Sequence, residues 1–160
     1  MTEGRFYFLS DEYYARFQNC GLMGNKEADK EGKPHGRPCL YMFLDVRTGL
    51  YWMIPISSKI EKYERIFRKN INKYGQCDFI VFGEVLGRKS VFLIQNMCPV
   101  TEKYIDARYL DRFNKHVGIP IEAQKHINAK AKKVLQLARK GKKLVFSDVL
   151  KIEKTLMFEK

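Results

Sequence analysis

The sequence lacks the closely spaced cysteine and histidine pairs that form zinc sites. Its cysteines are far apart, and its three histidines do not supply the missing ligands; the cysteines are Cys20, Cys39, Cys77 and Cys98. We expect them to be core or loop thiols, with no structural metal and no cofactor. P-loop, GxGxxG and GxSxG motifs are also missing, as are paired carboxylates at a two-metal spacing. A catalytic site in this sequence is expected to be metal-independent.

Long hydrophobic runs are missing as well. No stretch approaches the roughly 20 apolar residues that span a bilayer. The apolar run from Phe6 to Leu9 is too short for a signal-peptide core, and Asp11 and Glu12 follow it at once. These absences predict a cytoplasmic protein with reduced thiols and no contact with a membrane.

Acidic residues are few relative to basic ones. Thirty Lys and Arg against eighteen Asp and Glu give a formal net charge of +12. The electrostatic field of a protein with this charge concentrates polyanions at its surface, so nucleic acid is the first partner to consider. The alternative is a basic protein without a polyanionic ligand. With 160 residues and 45% apolar content, the chain is expected to form one domain over residues 1–160.

The first half of the chain is rich in strand signals. Residues 5–9 form a β-prone run that leads into a possible short helix, and residues 24–38 are expected to be an exposed loop. The apolar runs at 39–46 and 50–56 flank a turn and predict a hairpin with Trp52 in the core.

A helix is predicted after this hairpin, with Ser57 and Ser58 as candidate N-caps. Its apolar positions are Ile60, Tyr63, Phe67 and Ile71, and its polar face carries Lys62, Arg65, Lys69 and Lys73.

The second half of the chain predicts one more hairpin and two helices. Residues 78–85 and 90–95 flank a turn at 86–89. One helix should extend from Ile119 to near Gly141, and another should start at Ser147 or Asp148. Hairpins with helices between and after them predict an α+β fold: a compact, strongly curved antiparallel sheet or partly open barrel with helices packed outside.

Two segments contain residues suited to phosphate chemistry. At Pro55-Ile56-Ser57-Ser58-Lys59, two hydroxyls and a lysine precede a helix N-terminus, which can bind a phosphate, although a simple cap would look the same. The segment Lys33–Pro38 adds Arg37 as a phosphate clamp and His35 as a proton donor or acceptor. Solvated surface residues are the alternative for both.

A third segment, residues 122–143, concentrates positive charge on a predicted helix. It holds eight basic residues and one acid, Glu122; the basic residues are Lys125, Lys130, Lys132, Lys133, Arg139, Lys140, Lys142 and Lys143. A broad basic face suits the backbone of a folded RNA, and a solvated face would normally mix in acids.

The stretch RPCLYMFLDVRTGLYWMIPISSKIEKY, continuing through FGEVLGRKSVFLIQNMCPVTEKYI, resembles the ToxN/AbiQ/CptN family of type III toxins, most closely the CptN branch. The resemblance implies a MazF/Kid-like fold and an endoribonuclease toxin that cuts adenine-rich RNA, with cellular mRNA as substrate. It also implies a repeated pseudoknot RNA antitoxin, which the toxin processes and which inhibits it in a closed protein–RNA assembly.

The resemblance also implies an active site. The family's hydroxyl, hydroxyl, lysine cluster falls on Ser57, Ser58 and Lys59, and its basic residue before the first long strand falls on Arg37. Lys33 and His35 are nearby candidates.

The expected reaction is attack of a 2′-OH on the neighbouring phosphate, which gives a 2′,3′-cyclic phosphate and a 5′-OH. Lys59 and Arg37 would stabilise the phosphoryl charge and the two serines would place the phosphate. Alternatively, Lys59 is the base and His35 protonates the leaving oxygen. Lys33, Lys62, Arg65 and the basic helix would bind RNA. A non-catalytic protein that binds structured RNA, or a DNA-binding regulator, are the rival readings.

Overall fold

A computed structural model of the protein describes residues 1–28, 31–32 and 34–159. The strands are β1 (Phe6–Leu9), β2 (Lys26–Ala28), β3 (Pro34–Gly36), β4 (Cys39–Asp45), β5 (Leu50–Ser57), β6 (Val81–Val85), β7 (Arg88–Phe92), β8 (Cys98–Val100) and β9 (Ile105–Arg108). The helices are α1 (Asp11–Arg16), α2 (Ile60–Tyr74), α3 (Ile121–Arg139) and α4 (Val149–Met157). Within the described residues, no helix has the length and apolar character needed to cross a bilayer.

Seven of these strands form one antiparallel sheet in the order β6-β7-β5-β4-β1-β9, with β8 paired to the first half of β5. Its two ends, β6 and β9, do not pair with each other, so the sheet is open. The predicted α+β class, with an open antiparallel sheet and separate helices, is therefore confirmed.

The β4–β5 hairpin forms the centre of the core. Its strands are apolar on both faces because elements cover both sides of the sheet, and six of the seven β4 residues are buried. Trp52, the only tryptophan, is fully buried, as predicted, and its ring stacks at 6.3 Å on that of Phe43.

Helices α3 and α4 were both predicted, and each packs an apolar face on the core. Ile127, Val134 and Leu135 of α3 are buried, as are Ile152 and Leu156 of α4. The Asp148 side chain caps α4 by accepting a hydrogen bond from the backbone N–H of Lys151. All four cysteines are buried free thiols, which agrees with the expectation from their spacing.

Three local predictions were wrong. The loop predicted at 24–38 contains the β2–β3 pair. The second hairpin turns on Leu86 and Gly87 alone, because both adopt positive φ angles of 52° and 72° that fit a two-residue turn. Strands β8 and β9 were missed, because β8 has three residues, one of them Pro99, and β9 has four, which are too few to show an alternating pattern.

Arg139, predicted to bind RNA, holds the sheet and α4 together. Its Nη2 group donates hydrogen bonds to Asp45 of β4 and to Glu153 of α4, and its side chain is only 21% exposed. Burial alone would raise the pKa of Asp45, but hydrogen bonds from Arg139 and from the Arg47 backbone N–H keep that pKa below its ordinary value.

We expect Arg139→Leu to lower the free energy of unfolding by about 2 kcal/mol at pH 7, because two largely buried carboxylates lose their cation. The depressed pKa of Asp45 contributes stability above its unfolded pKa and loses it as the pH falls through the folded value. Urea titrations at several pH values should therefore show the difference closing below about pH 4. Lys140→Leu, an exposed neighbouring change, should shift stability little at any pH.

Candidate active site

The site lies where β5 ends and α2 begins. Ser57 is the last residue of β5, where it pairs with Val91 of β7, and only 3% of it is exposed. Ser58 and Lys59 follow as exposed residues, and α2 starts at Ile60. The sequence Ser-Ser-Lys is therefore a short connection between a buried strand and a helix N-terminus.

Neither serine caps α2, contrary to prediction. Lys59 occupies the N-cap position, and α2 has no side-chain cap. The Ser57 Oγ instead accepts a hydrogen bond at 3.2 Å from the backbone N–H of Lys59, because β5 pairing keeps Ser57 in the sheet and too far from the first turn. Backbone N–H groups of the first helical turn have no intrahelical acceptor and face the connection.

Arg37 reaches the same connection from the other side. Its Nε donates to the Gly24 carbonyl at 3.1 Å, and its Nη1 donates to the Ile56 carbonyl at 2.9 Å. The Arg37 backbone N–H donates to the Asn25 carbonyl at 2.7 Å. Only 6% of Arg37 is exposed, whereas the loop prediction implied a solvated side chain. The structure thus brings Arg37 to the residue before Ser57.

His35 and Lys33, the other candidates from this segment, are less directly placed. His35 is exposed in β3, and its Nδ1 lies 3.0 Å from the Gly36 carbonyl oxygen. Only Gly36 separates it along the chain from Arg37. Lys33 lies outside the described residues.

The groups behind Arg37 are neutral at physiological pH. Burial raises the pKa of the Cys39 thiol and of the Tyr14 hydroxyl well above their ordinary values, while the charge of Arg37 opposes both rises. Burial also raises the pKa of Cys98 to about 12. These groups cannot serve as bases or thiolate nucleophiles near pH 7.

The predicted RNA-binding cations of α3 fall into two groups. Several form ion pairs: Lys125 with Glu122, and both Lys130 and Lys133 with Asp78. The Lys132 ammonium lies 5.4 Å from the centre of the Phe43 ring. Lys140, Lys142 and Lys143 are exposed beyond the end of α3.

The cations of α2 are on the surface, as predicted. Lys62 and Arg65 are exposed, and the Lys62 ammonium lies 5.3 Å from the Tyr63 ring centre. Glu61 and Glu64 balance these two cations in the first turns of α2, so the positive charge at the junction itself comes from Lys59 and Arg37.

Sequence reasoning missed Gly24 and Asn25, whose carbonyls hold Arg37. The Gly-Asn dipeptide signals a turn, but nothing in the sequence indicates which side chain the turn binds. Among the described residues, no group of three or more His, Cys, Asp or Glu side chains is close enough to hold a metal ion.

The sequence matches no protein-family model and no curated protein. Several solved structures share the fold. AbiQ, a lactococcal anti-phage endoribonuclease of a type III toxin–antitoxin system, has a TM-score of 0.67 and 16% identity, with 98% of each chain covered.

The second is ToxN from a bacterial type III system in which a non-coding RNA pseudoknot selectively inhibits the toxin. Its TM-score is 0.56 at 20% identity, covering 84% of this chain and 79% of that one. The third belongs to a bacterial antiviral system regulated by a processed non-coding RNA, with a TM-score of 0.58 at 17% identity, covering 86% and 87%. The chain therefore has the ToxN/AbiQ fold; its place in the CptN branch stays a prediction.

We expect Arg37→Gln to lower the free energy of unfolding by about 2 kcal/mol, because the Gly24 and Ile56 carbonyls lose the charged donor that a buried side chain provides. Urea denaturation measures the change. Arg88→Gln, at an exposed position in β7, is the control and should leave stability nearly unchanged. Equal stability of the two variants would show that the guanidinium does not hold the junction in place.

Proposed function

We propose that this protein is the endoribonuclease toxin of a type III toxin–antitoxin system. The observation that carries the proposal is the convergence of Arg37 on the Ser57-Ser58-Lys59 connection, within a fold shared with an anti-phage endoribonuclease. Two hydroxyls, two cations and a helix N-terminus meet there, which is a suitable set of groups for a phosphodiester.

The proposed reaction is transesterification within the RNA. The 2′-oxygen forms a bond to the adjacent phosphorus as the bond to the 5′-oxygen breaks; the 2′-OH loses its proton and the 5′-oxygen gains one. Ser57 and Ser58 position the phosphate and Lys59 stabilises the charge on its oxygens directly, while Arg37, which is buried and bound to carbonyls, stabilises that charge through its positive potential. Donors of this kind typically contribute about 3 kcal/mol each to the transition state. This chemistry needs no metal ion.

The buried position of Arg37 supports a particular division of labour. Its guanidinium is bound to the Ile56 carbonyl, one residue before Ser57, so it fixes the end of β5 and adds positive potential there. Lys59 and Ser58 are exposed and accessible to a substrate. His35, exposed on β3, is the candidate acid for the leaving oxygen, with Lys59 as the alternative base.

The proposed partners are two kinds of RNA. Adenine-rich sites in cellular mRNA are the substrate, and a repeated RNA folded as a pseudoknot is the antitoxin, which the toxin processes and which inhibits it in a closed assembly. The exposed Lys140, Lys142 and Lys143, together with Lys62 and Arg65, offer the surface for phosphate contacts outside the cut site. Both RNAs would be met in the cytoplasm.

A non-catalytic RNA-binding protein is the alternative. The same basic surface would serve it, and the junction would then only anchor a phosphate. Expression without antitoxin separates the two, since a nuclease should arrest growth and a binder should not.

We expect the purified protein to cut a long single-stranded RNA in EDTA at adenine-rich sites, leaving 2′,3′-cyclic phosphate and 5′-OH ends. Ser57→Ala should slow single-turnover cleavage about 100-fold, because the phosphate loses a positioning donor. Product mapping and end-group analysis measure both effects.

Ser90→Ala is the matched control. Ser90 is also a buried serine, in β7, where its hydroxyl donates to the Arg88 carbonyl. It should cut at the wild-type rate. Intact RNA after incubation with folded, antitoxin-free wild type would support the binding protein, and activity that requires added Mg²⁺ would refute the metal-independent mechanism.

A further inference from the structure

The chain between β9 and α3 forms a hairpin, residues 109–117, which the sequence did not predict. The Val117 N–H donates to the Tyr109 carbonyl and the Asp111 N–H donates to the Lys115 carbonyl, both at 2.9 Å. Leu110 and His116 form the bridge between these pairs. The hairpin extends the sheet edge at β1 and β9 into solvent.

The tip of the hairpin is held rigidly by one carboxylate. The Asp111 Oδ1 accepts the backbone N–H groups of Phe113 at 2.8 Å and Lys115 at 2.9 Å. Asn114 completes the turn with a φ of 63°, a conformation that asparagine tolerates better than most residues. The acid at the tip is thus engaged with backbone, and the remaining charged side chains there are cations.

Phe113 is held in solvent by this turn. It is 67% exposed, and the Arg112 guanidinium carbon lies 4.7 Å from its ring centre. Lys115 is exposed at the same tip, and Arg108 at its base. An exposed aromatic ring beside Arg112, on a hairpin that also carries Lys115 and has Arg108 at its base, has the composition of a surface that stacks nucleobases and binds phosphates.

The hairpin is connected to the candidate active site by direct packing. The Tyr109 and Phe8 rings are 5.4 Å apart and nearly perpendicular. A Cβ atom at Gly36 would lie 3.0 Å from Phe8, so the backbone next to Arg37 is against that ring. Phe113 lies four positions after Tyr109, a span of at most about 13 Å because the chain turns at residues 112–114. The tip is therefore beyond the nucleotides at the cut but within reach of a longer RNA.

We propose that the hairpin tip is a second RNA contact, at which Phe113 stacks on an unpaired base and Arg112 and Lys115 bind the neighbouring phosphates. The inference rests on the proposed RNA-cleaving function and extends the RNA footprint beyond the junction. Stacking tolerates any base, so this contact raises the affinity for longer RNAs and does not select the cleavage sequence.

The probes for this contact are two fluorescent 2′-O-methyl oligoadenylates of about six and about 24 nucleotides, lengths chosen against known single-strand site sizes. The methyl group blocks attack by the 2′-oxygen, so binding is measured without cleavage. We expect Phe113→Ala to bind the long probe roughly tenfold more weakly and the short probe unchanged. Arg112→Ala should reduce the salt dependence of long-probe binding by about one unit of slope.

Two further variants complete the experiment. Phe113→Trp retains an aromatic face and should bind as wild type. Phe158→Ala removes a ring that is 82% exposed near the C-terminus and should leave both probes unaffected. Because both positions are exposed, these substitutions should not disturb folding, which circular dichroism would verify.

Each other outcome overturns the inference in a distinguishable way. The hairpin is not the second RNA contact if Phe113→Ala leaves long-probe binding unchanged or weakens binding of both probes equally. The same holds if Phe158→Ala weakens long-probe binding as much. None of these results affects the proposed function. If the wild-type protein binds neither probe, both the hairpin contact and the proposed function are ruled out. Binding to phosphatidylcholine vesicles with anionic lipid, lost in Phe113→Ala while RNA binding persists, would assign the tip to a membrane instead.

Discussion

Strand β5 carries the constraint on which the remaining structure depends. It pairs with β4 along its length, with β8 over its first half and with β7 at its end, so both of its edges are occupied. A strand in this position has little freedom in register, since a slip of one residue would move Trp52 and Ile54 to the opposite face of the sheet, where Met53 packs in a different cluster. Ser57 therefore leaves the sheet at a fixed point, and the connection to α2 inherits that precision.

Acidic residues serve structure where the surface is otherwise basic. Asp45 and Glu153 bind Arg139, and Asp78 binds Lys130 and Lys133. The Lys133 ammonium has the largest effect on the pKa of Asp78 and lowers it. Lys130 lowers the same pKa further, although burial alone would raise it. These contacts neutralise part of the α3 face and leave net positive charge beyond its end, on the segment that leads to α4.

The sequence predicted the elements that have a strong period and missed what depends on long-range contacts. The apolar faces of α3 and α4 and the β4–β5 hairpin were predictable, because apolar residues such as Ile127 and Trp52 belong to local patterns with the spacing of a helix or a strand. The burial of Arg37 was not, since its carbonyl partners lie 13 and 19 residues away along the chain. The same applies to Arg139, which is 94 residues from Asp45 and looked like one more cation of a basic helix. At the candidate site, the residue types were readable from sequence, but the hydrogen bonds that orient them were not.

The single tryptophan has a consequence for following the molecule in solution. Trp52 is inside β5, five residues before Ser57, with its ring on Phe43 and no solvent contact. Its indole emission therefore comes from one environment, the centre of the sheet, without contributions from other tryptophans. The protein carries an intrinsic optical reporter in the strand that supports the junction, so loosening of that strand should shift emission to longer wavelength.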